Sequence, residues 1–208
     1  YPLDGSRFYV RYRTSPTSNF SYSNITFDGR FYRPLSNGMS LAVRTFSGFG
    51  WGDDAQNFNL GGNPYIWSNT QDYYPDPSTI EELYFTEYVI PIRGVPIAHR
   101  LTHNVFLFNA EFRTPFLIYY FPAIKWIGQI NAVLFTDIGY GWNDNHLSIS
   151  DKDSWEEEQP DGWVMTYGWG PRFIFLGLPF QINYAWQYNP IKKETSEMRW
   201  HVTLGLDF

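Results

Sequence analysis

The 208-residue chain contains no cysteine, and only 17% of its residues are charged. Without thiols it forms neither a disulfide framework nor a thiolate metal site, which excludes a small secreted domain held by disulfides. Lys and Arg number 15 against 21 Asp and Glu, so the net charge is −6. This balance argues against a nucleic-acid partner, because phosphate neutralisation needs clustered basic side chains. No apolar run approaches the ~18 residues that a transmembrane helix requires.

Aromatic residues are in clear excess, with 9 Trp, 16 Tyr and 18 Phe, and 43% of the chain is hydrophobic. This content excludes an intrinsically disordered chain and leaves little polar surface for a soluble globule. The sequence opens at Tyr1 without a basic and apolar leader. We therefore expect any secretory signal to have been removed or to lie outside this sequence.

Apolar and polar residues alternate with a period of two along the chain, between stretches rich in Gly, Pro, Asn and Ser. This pattern predicts an all-β protein. We predict eight strands, at residues 6–14, 21–34, 39–51, 104–114, 129–142, 163–176, 179–188 and 199–208. Long connections follow the third, fifth and seventh strands, at 52–103, 143–162 and 189–198. Such spacing is expected of an antiparallel up-and-down barrel with short turns on one rim and long loops on the other.

The predicted strands each have one apolar and one polar face. In 129–142, Leu134 and Ile138 share a face with other apolar residues, and Asn131 and Asp137 lie on the opposite face. The polar faces together carry Asp28, Arg30, Arg44, Glu111, Arg113 and Asp137. An apolar outer band rich in rings and a polar interior are typical of a transmembrane β-barrel. A soluble β-sandwich has its apolar face inside, built mainly from Val, Ile and Leu.

We expect residues 1–208 to form a single domain that is only the C-terminal portion of a barrel. The connection 52–103 is about a quarter of the chain, far longer than an ordinary loop, and the charged polar faces suggest an open lumen. An open sheet edge in lipid would leave unsatisfied backbone amides. The first strand is therefore expected to continue a sheet begun by N-terminal strands that are absent here, along with any periplasmic part.

Four segments carry a family resemblance. They are residues 58–62 (FNLGG), 91–94 (PIRG) followed by 109–115 (NAEFRTP), 135–142 (FTDIGYGW) and the alternating C-terminus ending in Phe208. In order and spacing they resemble the C-terminal half of the BamA/TamA superfamily barrel, also called the bacterial surface antigen family. The resemblance implies a sixteen-stranded outer-membrane barrel whose last eight strands are present here.

The same resemblance implies an internal lock. In that family a long loop folds into the lumen, and the Arg at its tip docks on acidic residues of two strands. Carried over, Arg93 and Gly94 form the tip, and Glu111 and Asp137 are its partners. The sequence departs from the family pattern at Val95, where Phe or Tyr is usual, and in an insertion at 63–90.

The C-terminal strand is implied to carry both the barrel signal and a lateral seam. The residues concerned are Trp200, Val202, Leu204, Gly205, Leu206 and Phe208. Gly205 is expected to weaken the strand, because a strand glycine adds backbone entropy and packs nothing. At such a seam an exposed edge templates a client strand by β-augmentation. The resemblance therefore implies protein insertion or translocation at the outer membrane of a Gram-negative bacterium.

The implied partners are outer-membrane lipid, the missing N-terminal half of the barrel or a second chain, client proteins and accessory lipoproteins. We expect no catalytic residues, cofactor or metal. The four His lack metal-ligand spacing, and the acidic stretch 151–161 lacks the ligand cadence of a calcium loop. Two alternatives remain: a passive or structural barrel of the same fold, and a soluble aromatic-rich carbohydrate-binding sandwich.

Overall fold

The computed structural model describes residues 4–15, 21–62, 65–69, 88–115, 130–143, 155 and 162–205. Within these ranges the chain is all-β, with a 3-10 turn at Ser36–Gly38. The strands are β1 (Gly5–Ser15), β2 (Tyr22–Pro34), β3 (Ser40–Trp51), β4 (Phe58–Gly61), β5 (Trp67–Ser68), β6 (Tyr88–Pro91), β7 (Arg100–Thr102), β8 (Asn104–Thr114), β9 (Asn131–Trp142), β10 (Gly162–Phe175), β11 (Leu178–Asn189), β12 (Glu194–Thr195) and β13 (Arg199–Leu204). No helix among the described residues is long and apolar enough to span a membrane.

The main sheet has ten strands in the order β1-β2-β3-β8-β9-β10-β11-β13-β5, with β12 paired to β11. Every pairing in it is antiparallel. All eight predicted strand segments lie in this sheet, so the all-β prediction is confirmed. The prediction of eight strands only was wrong, because the connection 52–103 contains β4 to β7 and the connection 189–198 contains β12. These strands have two to four residues, too few to establish a periodicity.

The main sheet is open. Its path starts at β1 and ends at β5, and in the described part of the chain β1 pairs only with β2. The last long strand, β13, lies between β11 and β5. A closed eight-stranded barrel joined by β1 and β13 is therefore not formed.

The faces of the main sheet are reversed relative to a soluble protein. Asp137 and Glu111 are 0% and 1% exposed, whereas Leu134 is 55% exposed and Trp169 46% exposed. The covered face carries the buried polar residues Asn24, Asp28, Arg44, Asn109, Glu111, Arg113, Asp137, Thr166, Arg172, Gln181, Asn183, His201 and Thr203. Except on β1, which is exposed on both faces, the polar faces of the predicted strands are thus the covered ones, which we call the inner face.

A second, three-stranded sheet from the long connection covers part of the inner face. In this inner sheet β4 lies between β6, to which it is parallel, and β7, to which it is antiparallel. Its buried side chains form the apolar core together with residues of the main sheet. The cluster contains Phe46, Phe58, Leu60, Ile90, Ile92, Val95, Val105, Leu107 and Val164.

Glycines of the main sheet make room for the inner sheet. A Cβ at Gly139 would lie 2.5 Å from Cδ1 of Ile92 and 2.8 Å from Cδ2 of Leu60. A Cβ at Gly48 would lie 2.7 Å from the ring of Phe58. The inner sheet therefore packs directly on the backbone of β3 and β9.

Gly139→Val is expected to push the inner sheet away from β9. Two methyl groups would enter space already filled by Ile92 and Leu60, and overpacking of this kind costs about 1–3 kcal/mol. Denaturant unfolding monitored by Trp fluorescence measures the loss. Ala132→Val, on the opposite face of the same strand, is the control and should unfold like the parent protein. Equal stability of the two variants would show that the inner sheet does not press on Gly139.

Candidate functional site

The tip of the inner sheet is a turn at Arg93 and Gly94, just after β6. Gly94 has a φ of +83°, in the left-handed region that favours glycine. A Cβ at Gly94 would also collide with the Cβ of Ala185 on β11. The Gly94 carbonyl accepts a hydrogen bond from Nη1 of Arg199 on β13, at 3.3 Å. Only glycine satisfies both the turn and the close approach, which brings Arg93 against the inner face.

Arg93 is held by Asp137 of β9 through both its backbone and its side chain. The Arg93 amide donates to Oδ2 of Asp137 at 3.1 Å, and Nε donates to the same oxygen at 2.8 Å. Nη2 donates to Oδ1 at 2.5 Å. This two-pronged arrangement matches the fork of a guanidinium to the two oxygens of a carboxylate. It fixes both the position and the orientation of the tip.

The other side of the Arg93 guanidinium faces Glu111 of β8. Nη1 of Arg93 donates to Oε1 of Glu111, and Nε of Arg113 donates to Oε2 of Glu111 at 2.9 Å. Asn109 donates from Nδ2 to Oδ1 of Asp137 at 2.9 Å. We call these five residues the tip network: Arg93, Asn109, Glu111, Arg113 and Asp137. Its two cations and two anions balance.

Strand register explains why two carboxylates meet at one guanidinium. Strands β8 and β9 are adjacent, with Asn109 opposite Asp137 and Glu111 opposite Phe135. Because side chains alternate along a strand, residues 109, 111, 135 and 137 all project to the inner face. The Phe135 ring lies under the guanidinium, with Cζ of Arg93 3.9 Å from the ring centroid. The aromatic contact of the tip thus comes from β9, and Val95 lies in the apolar core.

The tip network is buried. The Arg93 side chain is 5% exposed, and those of Glu111 and Asp137 are 0% exposed. Both carboxylates accept hydrogen bonds from guanidinium groups, so neither is placed as a general base, and a structural ion network describes the geometry better than an acid–base pair. Removing one charged member of such a network leaves the buried charge of its partner unpaired.

A second ion network lies on the inner face of β2 and β3. Asp28 accepts two hydrogen bonds from Arg30, at 3.1 and 2.8 Å, and two from Arg44, at 3.1 and 3.0 Å. Asp28 and Arg30 border a cavity of about 230 Å³ that is also lined by Arg7 and Arg11 of β1. Strand alternation predicts that these residues share a face. It does not predict that one carboxylate holds two guanidinium forks.

The side chains of β13, which carries the predicted seam residues Trp200, Val202 and Leu204, alternate between the two faces of the main sheet. His201 and Thr203 are buried on the inner face, and Leu204 is 48% exposed on the other. Gly205 directly follows Leu204, the last residue of β13, and its amide donates to the carbonyl of Pro179 at 3.1 Å. Gly205 has a φ of +129°, in the region that favours glycine. Leu206 and Phe208 lie outside the described residues.

A polar chain links β13 to β10 on the inner face. Nη2 of Arg172 donates to Oδ1 of Asn183 at 2.6 Å, and Nδ2 of Asn183 lies 3.2 Å from Nε2 of His201. Gln181 donates from Nε2 to the carbonyl of Gly205 at 2.5 Å. Strands β10, β11 and β13 are therefore joined on the inner face by side-chain hydrogen bonds as well as by backbone pairing.

The described residues contain no group of three or more His, Asp or Glu that could hold a metal ion. Burial lowers the pKa of His99 to about 3, and the cations of Arg100 and Arg199 act in the same direction. The His99 imidazole is thus neutral at physiological pH. His146 and all of the acidic stretch 151–161 except Trp155 lie outside the described residues.

Comparison with known proteins gives no match: no family model matches the chain, and no curated protein matches it.

Proposed function

We propose that the chain is the C-terminal part of a BamA/TamA-type barrel in the outer membrane of a Gram-negative bacterium, where it takes part in inserting or translocating proteins. The observation that carries this proposal is the reversed burial of the main sheet. Fully buried charges are rare in soluble proteins, whereas here they occupy the covered face opposite an exposed apolar one. This arrangement suits a lipid-facing exterior and a polar interior.

Aromatic rings on the exposed face support the same proposal. Rings on β10 and β11 form cross-strand pairs with centroid separations of 4.8 to 5.9 Å, namely Tyr167–Trp186, Trp169–Tyr184 and Phe173–Phe180. Tyr140 and Trp163 pair in the same way at 4.5 Å. Trp and Tyr are enriched at membrane interfaces, where one end of the ring system is apolar and the other wet. A soluble carbohydrate-binding sandwich does not account for the charged inner face behind them.

The first strand supports a larger barrel than the present chain. Phe8 on one face of β1 is 79% exposed, and Tyr9 on the other face is 49% exposed. A strand within a barrel wall would be covered on its inner face and paired at both edges. The proposal therefore includes further strands, from the N-terminal part of the protein or a second chain, that pair with β1. Outer-membrane lipid, client proteins and accessory lipoproteins are the other proposed partners.

The proposed mechanism uses backbone hydrogen bonds and no catalytic residue or cofactor. A weakly paired seam beside β13 opens, and its free edge pairs with an extended client strand by β-augmentation. The tip network holds the inner sheet inside the barrel during this exchange. A passive barrel of the same fold is the second candidate. It is favoured by one observation: the edge of β13 that a client strand would use is already paired with β5.

The test uses the full-length protein reconstituted into lipid vesicles. A urea-unfolded eight-stranded outer-membrane barrel is added as client, and its insertion is followed by protease protection and gel mobility without heating. We expect faster insertion than into protein-free vesicles. Membrane residence without acceleration would favour the passive barrel, and a monodisperse soluble protein in plain buffer would contradict both candidates.

A further inference from the structure

The outer edge of β13 is covered by residues 65–69 of the long connection, which we call the covering segment. Its strand β5 is antiparallel to β13, with Trp67 opposite Val202 and Ser68 opposite His201. The backbone amide of Ile66 donates to the carbonyl of Val202 at 2.8 Å. The pairing is therefore a β-augmentation of the last strand by the chain's own connection.

The side chain of Asn69 extends this pairing. Its Oδ1 accepts from the amide of Trp200 at 2.8 Å, and its Nδ2 donates to the carbonyl of Met198 at 3.0 Å. The backbone amide of Asn69 also donates to the carbonyl of Trp200, at 3.3 Å. The carboxamide thus supplies one donor and one acceptor to the strand edge, as a further peptide group would.

The exposed side of the covering segment continues the apolar face of β13. Trp67 meets Trp200 edge to face, with ring centroids 6.4 Å apart. Ile66 is 59% exposed and Trp67 69% exposed. The segment therefore satisfies both requirements of a strand at this position: hydrogen bonds along the edge and apolar side chains on the outside.

One strand edge pairs with one strand at a time, because each backbone group there points to one neighbour. The groups that bind the covering segment, on Trp200 and Val202, are those that any other strand must use to join β13. The covering segment is short, and it leaves the exposed Leu204 end of β13 outside its register. A longer strand that pairs first at that end would displace the covering segment one hydrogen-bonded pair at a time.

We propose that the edge of β13 is a binding site for an extended segment of a client protein, and that residues 65–69 occupy it as a removable internal substitute. The inference rests on the proposed function for the identity of the occupant. The covering of the edge itself rests on the contacts above. It assigns a role to residues 65–69 of the insertion, which become a gate over the seam.

Paired cysteines test the proposal, since the chain contains none of its own. Ser68→Cys with His201→Cys joins residues opposite each other in register, within the range a disulfide spans. Trp67→Cys with Val202→Cys is a second matched pair that leaves the inner-face His201 intact. Ser68→Cys with Thr203→Cys, displaced by two residues, is the control. We expect oxidation of the full-length protein to crosslink both matched pairs and not the control.

The vesicle assay then separates the inference from the proposed function. We expect oxidised matched pairs to lose client insertion and to regain it on reduction. No crosslink in either folded matched pair, or a crosslink that leaves insertion unchanged, would overturn the gate. A crosslink in a protein whose parent shows no insertion would support the covered edge and count against the insertase.

Asn69→Ala provides the opposite perturbation. It removes both side-chain hydrogen bonds to β13, so the covering segment should leave more readily and client insertion should be faster. Asn57→Ala, in the same connection but without a hydrogen bond to β13, is the matched control. Slower or equal insertion by Asn69→Ala relative to Asn57→Ala would contradict a gating role.

Discussion

Arg93→Ala is expected to release the inner sheet while leaving the long strands of the main sheet paired. The substitution leaves Glu111 and Asp137 buried side by side without the cation that binds both. Breaking a buried ion pair by removing one partner costs ~3–5 kcal/mol. Limited proteolysis within residues 52–103 and denaturant unfolding measure the two consequences. Arg33→Ala, at an exposed position of β2, is the control and should behave like the parent protein.

Two further variants distinguish charge from geometry at the same site. Arg93→Lys keeps the charge but cannot bind both carboxylates through a planar fork, so its stability should lie between those of Arg93→Ala and the parent. Adding Asp137→Asn to Arg93→Ala removes the stranded charge, because Arg113 still pairs with Glu111, and should recover part of the loss. Unchanged cleavage of Arg93→Ala would mean that apolar packing around Phe58 and Leu60 holds the inner sheet.

On the proposed function, Leu134→Arg is expected to destabilise the membrane-inserted protein by ~2–4 kcal/mol, because a cation on the lipid face of a barrel near the midplane costs this much. Leu134 is the fourth of the twelve residues of β9 and lies between Phe112 of β8 and Trp169 of β10 on the same exposed face. Refolding into lipid vesicles under a urea titration measures the effect. In plain buffer without lipid, a soluble protein would tolerate an exposed arginine at this position.

An exposed leucine at a different depth in the proposed membrane is the control for Leu134. Leu178 is similarly exposed, at 52%, but begins β11 beside the turn at Leu176 and Gly177. Arginine there should cost only ~0–1 kcal/mol, as near a membrane interface. Asn131 is a poorer control, because the buried cation Arg172 lies opposite it on the inner face. Equal effects at Leu134 and Leu178 would contradict a membrane-spanning β9.

The long strands could be predicted because they span 6 to 14 residues, which repeats the alternation several times. The inner sheet could not be predicted from the sequence. Its strands are short, and Phe58, Leu60 and Ile90 are all buried. The sequence therefore shows an apolar connection but does not indicate which strands it packs against. Its position follows from packing against Gly48 and Gly139, a tertiary effect that no local pattern contains.

The candidate site was predicted unevenly for a related reason. Alternation places Glu111 and Asp137 on one face, but the choice of Arg93 as their partner came from the family resemblance. The sequence did not indicate the ring of Phe135 under the guanidinium. The family pattern places an aromatic residue at position 95, whereas Phe135 lies on a different element, β9. The covering segment was missed because Trp67 and Ser68 form a strand only through β13.

The path of the chain through the two sheets bears on the order of folding. Strands β3 and β8 are neighbours, yet 52 residues separate Trp51 from Asn104, so their pairing must bear the entropy of closing a long loop. The loop's polar anchors at Arg93 are 18 and 44 residues away, at Glu111 and Asp137, and both lie on its C-terminal side. Nearby contacts form sooner than distant ones. The inner sheet should therefore assemble with β8 and β9 before β3 pairs with β8, and the hydrogen bonds between β3 and β8 should gain protection from hydrogen exchange later than those within β1 to β3.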